Sequence, residues 1–277
     1  MGLNTEEIMQ LALEMSGFRS VPADSAIYTS GKNLKNALIG IDLDAPELLI
    51  AKQLGFDLVI SHHPKGGSST LHFPEVLHRH TEMMIEHGVP KDVAEQAMAE
   101  RIYDARCQAH IANYDHAPSF ARMLNVSYMN IHLPLDEIGR QQMLASVKKL
   151  KPESTVRELI ERFKSDMSEF RNAQTQMEVR VGRPENKIGR VAVSHACGTN
   201  GGYPVAKAYF DHGIDTVIYI HCAGPDSRKL QQEFQAQGKN LIITGHVVSD
   251  SLGINSFIHE LENRGLKLTR ASGVVSP

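Results

Sequence analysis

The chain has 277 residues, 42% of them apolar. That is enough for one large domain or two ordinary ones with a sizeable core, and it excludes a disordered tail or a small stapled module. Lys+Arg 29 against Asp+Glu 32 leave a net charge of −3, too balanced for a protein whose main partner is a nucleic-acid backbone. Histidine stands out, at 14 residues in a chain with no Trp and 6% aromatics. Imidazole is the commonest metal ligand and titrates near neutral pH, so the placement of these residues matters. Cys107, Cys197 and Cys222 are an odd number at no metal or redox spacing, which points to a reducing compartment. MGLNTEEIMQ lacks the basic and apolar regions of a leader, Glu6 breaks the myristoylation pattern, and no apolar run approaches the ~18 residues of a membrane span. The expectation is a cytoplasmic protein with no membrane or nucleic-acid partner.

Asn4 and Glu7 make a capping-box pattern, and Ile8, Leu11 and Met15 recur at helical spacing until Gly17, so a helix is predicted over 5–16. ALIGIDLD (37–44) reads as a buried strand, PELLIAKQL as a helix opened by Pro46 and ended by Gly55, and LVIS (58–61) as a second strand. This βαβ unit implies a parallel sheet. A mostly helical stretch follows over 74–124, then the apolar run SYMNIH (127–132). ESTVRELIERFKSDM (153–167) is an amphipathic helix between two halves. GRVAVSHA (189–196), TVIYIH (216–221) and LIITGH (241–246) are strands, with CGTNGG a turn and PVAKAYFDHG a helix after the first of them. GFDLVISH (55–62) and GIDTVIYIH (213–221) share a helix-ending Gly, an Asp and an apolar strand ending in His, a weak sign of duplication. Polar stretches at 140–152 and 172–187 are the candidate boundary zones, dividing the chain into halves 1–140 and 141–277.

Five of the six apolar runs end in His: His62 with His63, His132, His195, His221 and His246; the sixth ends with Asp42 and Asp44. In parallel α/β sheets ligands bind just beyond the carboxyl ends of the strands. A single His at a strand end most often only bonds backbone, whereas five together point to a site. His62-His63-Pro64 puts adjacent imidazoles at a strand terminus, where they either diverge to opposite faces or turn together toward one site. His132-x-x-x-Asp136 and His246-x-x-x-Asp250 each set a His and an Asp on one face of a helical turn, although solvated pairs at that spacing are common. Mixed imidazole and carboxylate donors suit Zn, Fe, Mn or Ni without choosing among them. Three imidazoles and two carboxylates exceed one tetrahedral zinc, which points to two ions and metal-assisted hydrolysis. Gly198, Gly201 and Gly202 are either a phosphate cradle or a plain tight turn, and Lys65 either contacts an anion or is solvated. His72, His78, His80, His87, His110, His116, His212 and His259 are expected to face solvent.

ISHHP (60–64), HLPLD (132–136), the glycine turn after RVAVSHA, and GHVVSD (245–250) with Gly253 resemble, in that order, the Nif-three-like family (NGG-interacting factor three-like), whose members are often labelled GTP cyclohydrolase 1 type 2. The resemblance spans about 36–262. It implies two interlocked α/β halves with mostly parallel central sheets, a dinuclear metal centre in the cleft between them, and a homo-oligomer, commonly a hexamer. By the same resemblance His62, His63, Asp136, His246 and Asp250 are the metal ligands, His132 lies in a second shell or on substrate, and His132 and His195 are candidate proton carriers. The implied activity is a dinuclear metal-dependent hydrolase acting on a nucleotide-like or heterocyclic anionic small molecule. The alternative is a non-catalytic metal-containing carrier or interaction protein. Three departures stand out: Asp250 replaces the family's usual Glu, SVPADSAIYTSGKNLK lacks the usual Trp, and the stretch between His63 and His132 is longer, as if a pair of helices had been inserted at 74–124.

Overall fold

The computed structural model describes residues 2–277. The elements run α1 (Thr5–Ser16), β1 (Ala26–Thr29), β2 (Asn36–Gly40), α2 (Ala45–Leu54), β3 (Leu58–Ser61), α3 (Gly67–Leu71), α4 (Phe73–Val76), α5 (His78–Glu86), α6 (Lys91–Ile111), α7 (His116–Leu124) and β4 (Ser127–Asn130). They continue with α8 (Leu133–Val147), α9 (Val156–Asp166), α10 (Glu169–Asn172), β5 (Glu178–Val181), β6 (Val191–Val193), α11 (Gly202–Asp211), β7 (Thr216–Tyr219), α12 (Gly224–Phe234), β8 (Asn240–Ile243), α13 (His246–Asn263) and β9 (Lys267–Ala271). No helix among the described residues is long and apolar enough to cross a membrane.

Local chemistry explains the boundaries. Asn4 caps α1 by accepting from the Glu7 amide while Glu7 reaches back to the Asn4 amide, which satisfies two amides that the first turn would otherwise leave open. Asp44 with Glu47 does the same for α2, and Thr155 with Glu158 for α9. Gly55 ends α2 in a left-handed conformation at φ 77, donating to Ala51 O and Lys52 O, and turns the chain directly into β3.

Two mixed α/β sheets result, each mostly parallel with one antiparallel edge strand. The first has the order β1-β4-β3-β2-β9 and the second β5-β8-β7-β6; β1 and β5 are the antiparallel members. Setting β9 aside, the two orders correspond strand for strand. The duplication hinted at by two short segments therefore extends through four strands, and it makes the His132 and His246 motifs, after β4 and β8, equivalents in the repeat.

The inner strands of the first sheet, β2, β3 and β4, are covered on both faces. Ala37, Ile39, Leu58, Ile60 and Met129 pack with α1 and α13, while Leu38, Val59 and Tyr128 pack with α2 and α7. Burial on both sides explains why these strands read as continuous apolar runs rather than alternating ones.

Residue contacts divide the chain into two compact units. The first takes the chain up to Val76, Ala105–Ile138 and Asp250–Val274; the second takes Leu77–Asp104, Gly139–Ser249 and Val275–Pro277. Compared with halves at 1–140 and 141–277, residues 77–104 have crossed to the second unit and 250–274 to the first. The polar stretch 140–152 is no linker over most of its length, because α8 continues to Val147. The pair of helices expected at 74–124 is three, α5, α6 and α7, with α4 as a short turn before them. They are core elements: Ala117 and Ala121 are buried in the first unit, Met83, Met84, Ala94 and Met98 in the second.

His80 does not face solvent. It is fully buried in the second unit, donates from Nε2 to Thr199 O at 2.9 Å and faces Ser194 Oγ with Nδ1 at 3.4 Å. Burial pushes its pKa down to about 4, against the hydrogen bond to Thr199 and with help from Arg101 and Arg79, so the ring is neutral and structural.

Candidate metal centre

All five histidine positions lie beyond the carboxyl ends of parallel strands: His62 and His63 after β3, His132 after β4, and His195, His221 and His246 after β6, β7 and β8. In the first unit the pairing of β3 persists past its last residue. The His62 amide donates to Gly40 O at 2.8 Å and the His63 amide to Ile41 O at 3.0 Å, so both imidazoles are held on firm backbone as the strand ends. His132 leads straight into α8, whose first turn carries Asp136; the Asp136 amide donates to His132 O at 3.1 Å. Asp250 lies one helical turn into α13, and His246 opens the same helix. Both His-x-x-x-Asp spacings therefore fall at helix starts, as their periodicity predicts.

The three rings of the first unit converge. Centroid separations are 5.3 Å for His62 and His63, 4.8 Å for His62 and His132, and 5.5 Å for His63 and His132. Each ring is anchored by Nδ1 and turns Nε2 inward. His62 Nδ1 donates to Ile131 O at 3.0 Å, His63 Nδ1 to Asp42 Oδ1 at 3.0 Å, and His132 Nδ1 to Asp24 Oδ2 at 2.7 Å. On the inner side His62 Nε2 lies 3.1 Å from Asp136 Oδ1 and 3.8 Å from Asp250 Oδ2. His63 Nε2 lies 3.5 Å from Asp250 Oδ2, and His132 Nε2 3.6 Å from Asp136 Oδ2. Ligand atoms of His62, His63 and His132, and those of His62, Asp136 and Asp250, fall within 4.8 Å of one another.

These residues fit a metal ion. A backbone carbonyl only accepts, so His62 Nδ1 carries a hydrogen, and in its neutral form the ring presents a lone pair at Nε2. That atom is buried and makes no hydrogen bond, yet it faces two carboxylates. A lone pair directed at buried anions is unfavourable unless a cation sits between them. Imidazoles that donate one nitrogen to a carbonyl or carboxylate and offer the other are the usual form of metal-ligating histidine. These buried His and Asp groups can hold a metal ion.

Sequence reasoning placed His132 outside the ligand set, whereas its Nε2 lies among the inner atoms as closely as that of His63. It also left Asp24 without a role. Asp42, noted only as ending a strand, is here the anchor of His63, and it accepts from Lys65 Nζ at 2.6 Å. His195 is buried in the second unit, and His246 is exposed there with its ring 4.6 Å from that of His221. Asn200 Oδ1 accepts from the Gly202 amide at 2.9 Å, so its amide nitrogen donates to His221 Nδ1 at 2.9 Å.

Charge sets the protonation of the metal-free centre. Burial alone would lower the pKa of His132, but Asp136 and Asp24, with Asp250, outweigh it and raise it to about 9. His63 moves the same way, against burial and His132 and under the pull of Asp250 and Asp42. Asp42, despite some burial, is held down at about 2 by Lys65 and His63. A group whose folded pKa lies above its unfolded value stabilises the fold fully below the unfolded value, near ~6.5 for His, and loses that contribution as pH rises through the folded value. The metal-free protein is thus expected to lose stability between about pH 6.5 and about pH 9, which urea unfolding at a series of pH values in excess chelator checks. Stability that is flat or rising across that window would contradict the pairing.

Across the whole chain, a solved structure of a NIF3 superfamily protein from Sphaerobacter thermophilus is 48% identical, covering 98% of this chain and 99% of that one with a TM-score of 0.94. The chain belongs to the NIF3 superfamily. More distant NIF3-like folds include HcgD from Methanocaldococcus jannaschii, with 13% identity, 98% and 99% coverage and a TM-score of 0.57. A hypothetical protein of Staphylococcus aureus, with 14% identity, 100% and 99% coverage and a TM-score of 0.56, likewise shares the fold. No protein-family model and no curated protein matches the chain. Within this NIF3 chain the longer stretch between His63 and His132 is occupied by α3 to α7 and β4.

Proposed function

We propose that this NIF3 protein is a dinuclear metal-dependent hydrolase of the cyclohydrolase type, acting on a nucleotide-like or other heterocyclic anionic small molecule. The observation that carries the proposal is the convergence of three imidazole Nε2 atoms on two buried carboxylates, each imidazole anchored from behind. His62, His63, Asp136 and Asp250 would hold two divalent ions of Zn, Fe, Mn or Ni, joined by His246 from the turn preceding Asp250 and by His132. When bound, such ions supply a nucleophile at neutral pH and polarise a carbonyl, amidine or phosphoryl oxygen.

The protein's own residues do the rest. Asp42 fixes Lys65 Nζ next to His63, which sets a cation at the rim of the centre for an anionic substituent. The proton carrier would be His195, or His132 where it stays off the metal, since in the metal-free centre His132 holds a proton through neutral pH. Self-association as a homo-oligomer, a hexamer by family resemblance, and a cytoplasmic location belong to the same proposal.

The test is turnover by zinc-, iron-, manganese- and nickel-loaded protein against a panel of nucleotides and heterocyclic esters and amides, with His63→Ala as control. Metal-dependent turnover lost in His63→Ala is expected. Tight stoichiometric binding of a panel member without turnover would replace the hydrolase with a metal-containing carrier.

A further inference from the structure

The segment 20–35 stands out in the sequence for the Trp it lacks; in the structure it braces the centre from behind. Asp24 has no solvent exposure, and its Oδ2 accepts from His132 Nδ1 at 2.7 Å. Its Oδ1 lies 3.4 Å from Ser25 Oγ, and Ser25 Oγ in turn accepts the His132 amide at 3.0 Å. Asn130 ties this segment to the sheet: its Nδ2 donates to Asp24 O at 2.7 Å, and its Oδ1 accepts from the Ala26 amide at 3.1 Å and from Tyr28 Oη at 2.7 Å. Tyr28 Oη also accepts the Lys65 amide at 2.9 Å, which pins the loop that follows His63.

A fully buried carboxylate is costly unless paired and hydrogen-bonded, so its presence calls for a reason. The fold does not supply one. Two residues before β5, the strand equivalent to β1 in the repeat, the chain has Gln176, and the second sheet forms in the same order. Of the two repeat-related His-x-x-x-Asp motifs, the one after β4 has this acid behind its histidine. We propose that Asp24 is a positioning residue of the metal centre: it fixes His132 with hydrogen on Nδ1, so that Nε2 is offered to the metal, and its charge makes that nitrogen a stronger donor. The proposal rests on reading the site as a metal centre.

The experiment compares wild type, Asp24→Asn and Asp57→Asn. Asp57 is the control for loss of a purely structural carboxylate, since its Oδ2 accepts the Lys35 and Asn36 amides at 2.9 and 3.2 Å. Zinc affinity is read by competition with a chromophoric chelator. The His132 tautomer is read by nitrogen-15 NMR on metal-free protein at a pH where the ring is neutral. Asp24→Asn is expected to weaken zinc binding by ~10–100-fold, the usual effect of losing such a partner, and to lose the single Nδ1–H tautomer, with Asp57→Asn matching wild type in both. Unchanged affinity and tautomer in Asp24→Asn, or equal weakening in Asp57→Asn, would overturn the proposal. If wild type binds no zinc, the metal reading fails by itself, and the NMR arm still decides whether Asp24 orients His132. If Asp24→Asn does not fold, an Nε2–H tautomer in wild type overturns the proposal and an Nδ1–H tautomer upholds it.

Discussion

Asp136→Asn is expected to weaken zinc binding by more than the ~10–100-fold that losing an outer partner costs, while the metal-free protein stays folded. Asp136 is the hub of the centre: one oxygen lies 3.1 Å from His62 Nε2 and the other 3.6 Å from His132 Nε2. Asparagine keeps the shape, and its amide hydrogens can satisfy an imidazole lone pair, so the cavity need not collapse. What disappears is the negative charge between two imidazoles. Asp136 is also the largest of the influences that raise the His132 pKa to about 9, so in the variant that pKa falls toward the ordinary histidine value. Chelator competition and NMR titration of His132 check both effects. Zinc affinity within ten-fold of wild type would remove Asp136 from the centre.

Excising residues 77–124 is expected to abolish cooperative unfolding, not merely to change metal content or assembly. In the first unit Ala117 and Ala121 are buried against Leu38, Val59 and Tyr128. In the second unit Met83, Met84 and Met98 are buried, and losing a core side chain of that size costs ~2–5 kcal/mol. Arg79, His80 and Arg101 donate to the carbonyls of Ala196, Thr199 and Asn200, and acceptors left buried without donors add ~1–3 kcal/mol each. The sum matches or exceeds the ~5–15 kcal/mol that holds an ordinary domain together. Circular dichroism and thermal melting of the excised chain decide this, and a soluble product with a sharp melt would show that the helices are an appendage.

What the sequence made legible follows the same physics. β2, β3, β4, β6, β7 and β8 are readable because buried strands are runs of apolar residues, and all but β2, which leads to Asp42 and Asp44, are followed by histidine. The edge strands β1 (AIYT), β5 (EVRV) and β9 (KLTRA) were not, because half-exposed strands mix polar residues into a short pattern. The ring cluster of His62, His63 and His132 and the flanking Asp136 and Asp250 were visible as motifs. Asp24 was not, because it meets His132 from 108 positions away in sequence, and no local spacing encodes such a pairing. The burial of His80 was hidden for the same reason: its partner Thr199 is 119 positions distant.

The central claim, that the first unit carries a divalent metal centre, is tested most directly by elemental analysis of the purified protein after reconstitution and removal of loosely bound ions. The account predicts about two equivalents of divalent metal per chain, consistent with more donors than one tetrahedral ion takes. Less than one equivalent would contradict it.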